Sequence, residues 1–257
     1  MVRLLPMTAV LALLCVCVNS SVATPPTWQD TYTALLQERV KSGMVDYSRM
    51  KDDKRLAVVL QSLSKINHST LKGNEKKAFF INVYNAFTLK LMCDFWPVKS
   101  IRDLGNETVV GSATKTTPWD RRIVTLYDKT YTLNEIEHSI LRPMGDARIH
   151  YAIVCAAKSC PPLRNEAFAT AALDAQLDDQ ARTFLQNPTW NSIDTEQSKA
   201  ALSSIFSWFS QDFGSTDRDL LLAIAPYLPA EKAKHVRDNV GRYRITYKDY
   251  DWSANGR

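Results

Sequence analysis

The stretch Lys77–Cys93, KAFFINVYNAFTLKLMC, constrains this chain more than any other. Its apolar residues fall on nearly every side of a 3.6-residue helix, which marks a helix buried in a core. Asn82 and Asn85 interrupt it, and being three apart they share a face. A buried amide left without partners costs about 1–3 kcal/mol, so both must be bonded. One reading has them tie down neighbouring loops. The other has them line a polar cavity, where they orient a substrate or stabilise a developing oxyanion. Tyr84 carries a hydroxyl to a different face of the same helix.

The second informative stretch is RIHYAIVCAAKSCPPLR, from Arg148 to Arg164. Its apolar run Ile149–Val154, followed by a turn signal, predicts a short, mostly buried strand. Side chains alternate along a strand, so His150 and Cys155 would point to opposite faces, roughly 16 Å apart along the backbone. They meet only if the strand ends or bulges before Cys155. Cys160 lies beyond a short loop and is freer to fold back. Two readings stay open: a reactive thiol at Cys155 or Cys160 with His150 as its base, or a core strand closed by a Cys155–Cys160 disulfide. Lys158, between the cysteines, is placed to lower a thiol pKa.

Thr132 and Glu135 have the spacing of a capping box. The helix they open carries an apolar stripe of Leu133, Ile136, Ile140 and Leu141, and Glu137 falls inside it. A carboxylate buried without a partner is costly, so it pairs with a cation or shifts its pKa. Arg142, Arg148 and His150 are the expected partners. Glu137 is then either half of a structural ion pair or the acid that orients a catalytic histidine. Arg142 and Arg148 join Asn82 and Asn85 as candidate substrate-binding residues.

Residues 1–23 read as a signal peptide: Arg3, then an apolar run Leu4–Val18, then the small residues Ser21 and Ala23 around Val22. The expected mature protein, residues 24–257, is one globular domain exported to the extracellular space or periplasm, with no membrane span after cleavage. Asn67 and Asn106 fit the glycosylation acceptor pattern. Cys93, Cys155 and Cys160 remain, too few for a disulfide framework and poorly spaced for zinc. No metal and no cofactor is expected. A net charge of +5, carried by scattered residues, gives no reason to expect a nucleic-acid partner. No phosphate loop, dinucleotide fingerprint or serine elbow is present. Helices are expected at 28–40, 56–63, 174–185, 202–213, 220–227 and 230–240. Short strands are expected at 122–126, 129–132 and 243–247, and a loop at 105–117.

The motifs FFINVYNAFTL (79–89), SIRDL (100–104), LNEIEHSILR (133–142), RIHYAIVCAAKSCPPLRNEAF (148–168), LSSIFSWFSQDF (202–213) and YDWS (250–253) resemble the domain-of-unknown-function family numbered 547. More distantly, a buried helix followed by a strand bearing a histidine is similar to transglutaminase-like and papain-like folds, although Asn82 and Asn85 stand where a nucleophilic cysteine is wanted. These resemblances and the element pattern imply an α+β fold, mostly helical, around a small antiparallel sheet. The expected function is a thiol-dependent hydrolase or acyl transferase acting on a small-molecule or peptide substrate. Cys155 or Cys160 is its nucleophile, His150 its base and Glu137 the orienting acid. The alternative is a non-catalytic secreted ligand-binding module with the cysteines linked.

Overall fold

The computed structural model describes residues 26–105 and 116–257. The expected signal segment 1–23, the acceptor Asn106 and most of the 105–117 loop lie outside them. Asn67 is exposed, with its side-chain oxygen bonded by Ser69.

The α+β class holds. Helix α1 (Trp28–Arg39) opens on a capping box, in which Thr27 and Asp30 each accept the other's backbone N–H. A tight hairpin, β1 (Val40–Lys41) and β2 (Met44–Val45), and one turn of helix, α2 (Tyr47–Met50), lead to α3 (Lys54–Ser64). Leu56, Val59, Leu60 and Leu63 form the buried stripe of α3, which packs against α1. Helix α4 (Gly73–Phe95) contains the apolar stretch, and every residue from Lys77 to Leu89 is buried. Helices α2 and α3 and the helix bearing Glu137 cover it. The predicted hairpin is present as β3 (Val124–Leu126) and β4 (Lys129–Tyr131).

The capping box at Thr132 and Glu135 also forms, with bonds of 2.8 and 2.9 Å. The helix it starts is π-wound over Glu135–Leu141, and the Arg142 N–H reaches back five residues to the Glu137 carbonyl. Wider winding of this kind is frequent at functional sites.

The predicted strand at 149–154 is instead one turn of helix, α5 (Ile149–Ala152), running into extended chain from Ile153. The Ile153 N–H bonds the Ile149 carbonyl at 2.9 Å. A short apolar run buried on all sides satisfies either period, so burial pattern does not choose between them. Helical spacing here serves two cores: Ile149 and Ala152 pack into one, Tyr151 into the other. With a helical turn in place of the strand, His150 and Cys155 are not held to opposite faces by alternation.

After α6 (Leu173–Leu185) come β5 (Ser192–Asp194) and β6 (Lys199–Ser203), and then the predicted aromatic helix of 202–213. Its first residues belong to β6, and the rest is two short helices, α7 (Ile205–Trp208) and α8 (Ser210–Phe213), broken at Phe209. Helices α9 (Asp217–Ile224) and α10 (Ala230–Asn239) lead to β7 (Arg244–Lys248). The expected antiparallel sheet is in fact three small sheets, and the third is mixed: β5 and β6 are antiparallel, β6 and β7 parallel. The long helical crossover between β6 and β7 permits the parallel pairing.

Two apolar clusters result. One gathers α1–α4 and the chain as far as Leu177; the other gathers the far half of α6, the third sheet and α7–α10. Helix α6 spans both, with Leu173 and Leu177 in the first and Ala181, Phe184 and Leu185 in the second. The C-terminal segment then crosses back as a strap. Asn255 exchanges backbone bonds with Val45 and Ala156, and its side chain accepts from the Tyr47 hydroxyl at 2.8 Å. Gly256 runs so close to β2 that a Cβ there would meet the Val45 carbonyl oxygen at 2.3 Å.

Candidate active site

A cavity of about 180 Å³ opens on the seam between the two clusters. Tyr84 of α4, Glu137 and His138 of the π-wound helix, and Cys155 and Cys160 line one side. Ile205, Trp208 and Phe209 line the other, and Tyr250 and Trp252 of the strap form part of the mouth with Trp119. His150, on α5 between the cores, also lines it.

Cys155 sits where the extended chain after α5 turns sharply. Ala156 adopts a left-handed conformation, φ +57°, which costs a non-glycine residue about 1–2 kcal/mol. The strap holds that turn: the Asn255 N–H bonds the Ala156 carbonyl at 3.0 Å, and the Lys158 N–H bonds the Ser253 carbonyl at 2.9 Å. The Cys155 sulfur lies 3.1 Å from the Tyr250 hydroxyl. The Cys155 N–H donates to the Cys160 sulfur at 2.9 Å. The neighbouring Cys160 thiol, then the Tyr250 hydroxyl and the Ala157 N–H, hold the Cys155 thiol below its ordinary pKa, against the effect of burial. Burial pushes Cys160 well above the ordinary value. Both cysteines are free thiols, as is Cys93, so the disulfide reading is corrected. Cys93 lies outside the cavity, and burial raises its thiol to about 12.

His150 is 3% exposed. Its Nε2 is 2.6 Å from Asp212 Oδ2, and Phe209 stacks on the ring with centroids 4.1 Å apart. The break between α7 and α8 places Phe209 over the imidazole and Asp212 at its edge. Burial lowers the His150 pKa, with Asp212 opposing, which favours the neutral ring. Arg142 holds the same Asp212 carboxylate through Nε, 2.7 Å from that Oδ2, and Nη2, 2.9 Å from Oδ1, and its Nη1 meets His138 Nδ1 at 2.9 Å. This forked bond, first among the causes, keeps the Asp212 carboxyl below the usual carboxylate range.

Glu137 is buried, as its place in the stripe predicts, but its bonded partner is none of those expected. The Tyr84 hydroxyl donates to it at 3.3 Å, and Arg142 acts on it only through space. Burial raises its carboxyl to about 7.

The other candidates sit apart from the cavity. Asn82 donates to the Ala78 and Phe168 carbonyls and accepts from the Phe168 N–H. Asn85 donates to the Ala152 carbonyl at 2.9 Å and accepts from the Val154 N–H at 3.0 Å, which fastens the exit of α5 just before Cys155. Neither lines the cavity, and the amides are occupied by backbone rather than offered to an oxyanion. Arg148 pairs with Asp146, Asp174 and Asp178, outside the cavity. Arg142 acts on Asp212 rather than lining the wall, and Lys158 is exposed.

Asp212, Tyr250 and Trp208 were not among the expected site residues. A carboxylate set among the aromatic residues of 206–213 is the signal that pointed to Glu137, and it applies equally to Asp212. Among the described residues, no group of three His, Cys, Asp or Glu side chains is placed to hold a metal ion, and no helix is long and apolar enough to cross a membrane.

Residues 68–185 match the family described as "Protein of unknown function, DUF547". That part of the chain carries Tyr84, Glu137, His150, Cys155 and Cys160, and it ends before Asp212 and the strap. Neither a curated protein nor a solved structure matches the chain. The likeness to transglutaminase-like and papain-like folds is therefore unsupported. Its geometric premise also fails, since His150 stands on a helical turn rather than a strand.

Proposed function

We propose that this protein is an exported thiol-dependent acyl-transfer enzyme, a hydrolase or acyl transferase working through Cys155 on a small-molecule or peptide substrate. One observation carries the reading. The Cys155 sulfur, bonded in ways that favour the thiolate, shares a cavity with His150, whose neutral form burial favours and whose ring Asp212 holds. A thiol, a base and an acid that orients the base are the parts of an activated nucleophile. Here the Cys155 sulfur bonds Tyr250 and the Cys155 N–H bonds Cys160. His150 lines the same cavity without a bond to the sulfur, so substrate binding must bring the two together. Cys155 attacks the acyl carbon. His150, bonded to Asp212 through Nε2, takes the thiol proton at Nδ1 and returns it to the leaving group. Asp212 fixes the tautomer and stabilises the imidazolium, the part first assigned to Glu137. As negative charge moves from sulfur to the acyl oxygen, the Tyr250 hydroxyl can follow it. Water or an acceptor then resolves the thioester. Export rests on residues 1–23, whose Arg3, apolar run and small residues at 21–23 have the composition of a signal peptide.

Incubation with 4-nitrophenyl acetate tests this. The expected result is nitrophenolate release with an acetyl adduct on Cys155. Cys155→Ala should lower turnover by about 10³-fold or more, and His150→Ala by about 10²–10⁴-fold. Undiminished turnover by Cys155→Ala, or iodoacetamide labelling of Cys155 no faster than of Cys93, sinks the proposal.

A further inference from the structure

The thiol mechanism leaves Glu137 without a task, yet this carboxyl lines the cavity and is 7% exposed. Its hydrogen bond to Tyr84, at 3.3 Å, is long for an O–H donor. Arg142 is the cation that acts on it, and all three guanidinium nitrogens of Arg142 are already engaged by Asp212 and His138. Among the described residues, no lysine or arginine lines this cavity. A carboxylate in such a place has acceptor capacity to spare and no internal cation to fill it.

The mouth supplies the other half of the chemistry. Trp208, Tyr250 and Trp252 touch one another, with centroids 4.7 Å apart for Trp208 and Tyr250, 4.6 Å for Tyr250 and Trp252, and 5.6 Å for the stacked Trp208 and Trp252. Rings in direct contact leave no space between them for a cation, so they form a continuous wall rather than a cage. The Arg102 guanidinium covers one face of Trp252 at 5.1 Å, which leaves Trp208 and Tyr250 as the apolar part of that wall. Trp208 remains 48% exposed for a ring of its size. An apolar group laid on that wall removes indole surface from water.

We propose that this cavity takes a substrate bearing a protonated amine beside an apolar group, with the ammonium bonded to Glu137 and the apolar group on the wall of Trp208 and Tyr250, and that it turns away a carboxylate at the same place. The inference rests on the cavity being the substrate site. An ammonium supplies the donors that Glu137 lacks. A carboxylate there would face Glu137, and among the described residues no lysine or arginine lines the cavity to offset the repulsion. The titratable and charged groups around Glu137 are Tyr84 on α4, His138 and Arg142 on its own helix and just beyond it, His150 on α5, the Cys155 and Cys160 thiols, and Asp212 on α8. Burial raises the Glu137 carboxyl to about 7, and the Cys155 thiol, held below its ordinary value, gains negative charge in the same sense as pH rises, so Glu137→Gln is what separates the two. The amine is therefore bound more tightly as pH rises through about 7, because the carboxyl ionises while the amine stays charged.

Calorimetric titration with 2-phenylethylamine and with 3-phenylpropionate tests the inference without any acyl chemistry. The amine should bind about tenfold or more tightly than the acid at about pH 8, and the preference should shrink at about pH 6. Glu137→Gln should abolish the preference, and Trp208→Ala should weaken binding of the amine. Equal affinities, no binding of the amine, a preference that is flat with pH in the wild-type protein, or a folded Glu137→Gln variant that keeps the preference would each overturn it. Acetylation of Cys155 without amine preference removes this inference and leaves the thiol reading standing. Amine binding without acetylation does the reverse.

Discussion

Two arginine clusters, built from the same residue types, serve different ends. Arg148 is surrounded by Asp146, Asp174 and Asp178, and Lys77 reaches Asp146 at 2.6 Å. Every charge in that cluster meets its opposite, and its bonds tie α4 to α6 and to the turn before α5. Arg142 also holds a carboxylate, Asp212, by a forked bond, but one oxygen of that fork is shared with His150. There the ion pair ends on an imidazole, the proton carrier of the proposed mechanism, in the same cavity as a thiol held below its ordinary pKa. A saturated network fixes geometry. A network that terminates on an imidazole in a cavity fixes geometry and, in the proposed mechanism, also sets the charge around the base.

The largest expected effect breaks the Arg142 cluster. Asp212→Asn should lower the rate of 4-nitrophenyl acetate turnover by about 10²–10⁴-fold, because His150 loses its tautomer control and the partner of its imidazolium. The acid limb of the rate profile should also move to lower pH, since Asp212 is what holds the His150 pKa up against burial. A merely structural Asp212 would leave that limb in place. Wild-type kinetics in Asp212→Asn, with folding intact, would erase the distinction between the two clusters.

The matching change in the saturated cluster should act on stability and leave turnover alone. Asp146→Asn removes a part-buried charge from Lys77 and Arg148 and should cost about 1–3 kcal/mol in a denaturant titration. Those two cations hold the Asp146 carboxyl down at about 2, against burial. Its contribution is therefore present above the unfolded value near 3.8 and is lost as pH falls toward about 2. The wild-type protein should lose stability over that acid window more steeply than Asp146→Asn. Equal slopes would show that the cluster is not coupled to folding.

The difference between the clusters was only partly legible in the sequence. The burial of α4, the bonding of Asn82 and Asn85, the capping box at Thr132 and the burial of Glu137 all follow from local period and the cost of an unpaired polar group. The short apolar run around His150 fits a strand or a turn of helix alike, and only the two cores on either side decide between them. Asp212 is 62 residues from His150, and Tyr250 is 95 from Cys155, so no spacing rule joins them. The partner of Glu137 proved to be Tyr84, because the two candidate arginines were drawn away by carboxylates elsewhere in the chain. Competition for a cation is a property of the assembled structure. Sequence position names the competitors without ranking them.

The smallest expected effect sharpens the comparison from inside the saturated cluster. Asp174 and Asp146 both bond Arg148, at 2.7 and 2.9 Å for the pairs they form, so distance alone would rank them equal. Their surroundings differ. The Asp146 side chain is 12% exposed and that of Asp174 is 65% exposed. Water competes for the Asp174 carboxylate, and salt screens its attraction to Arg148. Asp174 also accepts from Asn74 at 3.1 Å, a bond that an asparagine in its place can still make. Asp174→Asn should therefore change stability by about 0.5 kcal/mol or less, and raising the salt concentration should shrink even that. A loss as large as that of Asp146→Asn would mean that Arg148 needs all its carboxylates at once. The cluster would then be a single cooperative unit rather than a buried pair with exposed attendants.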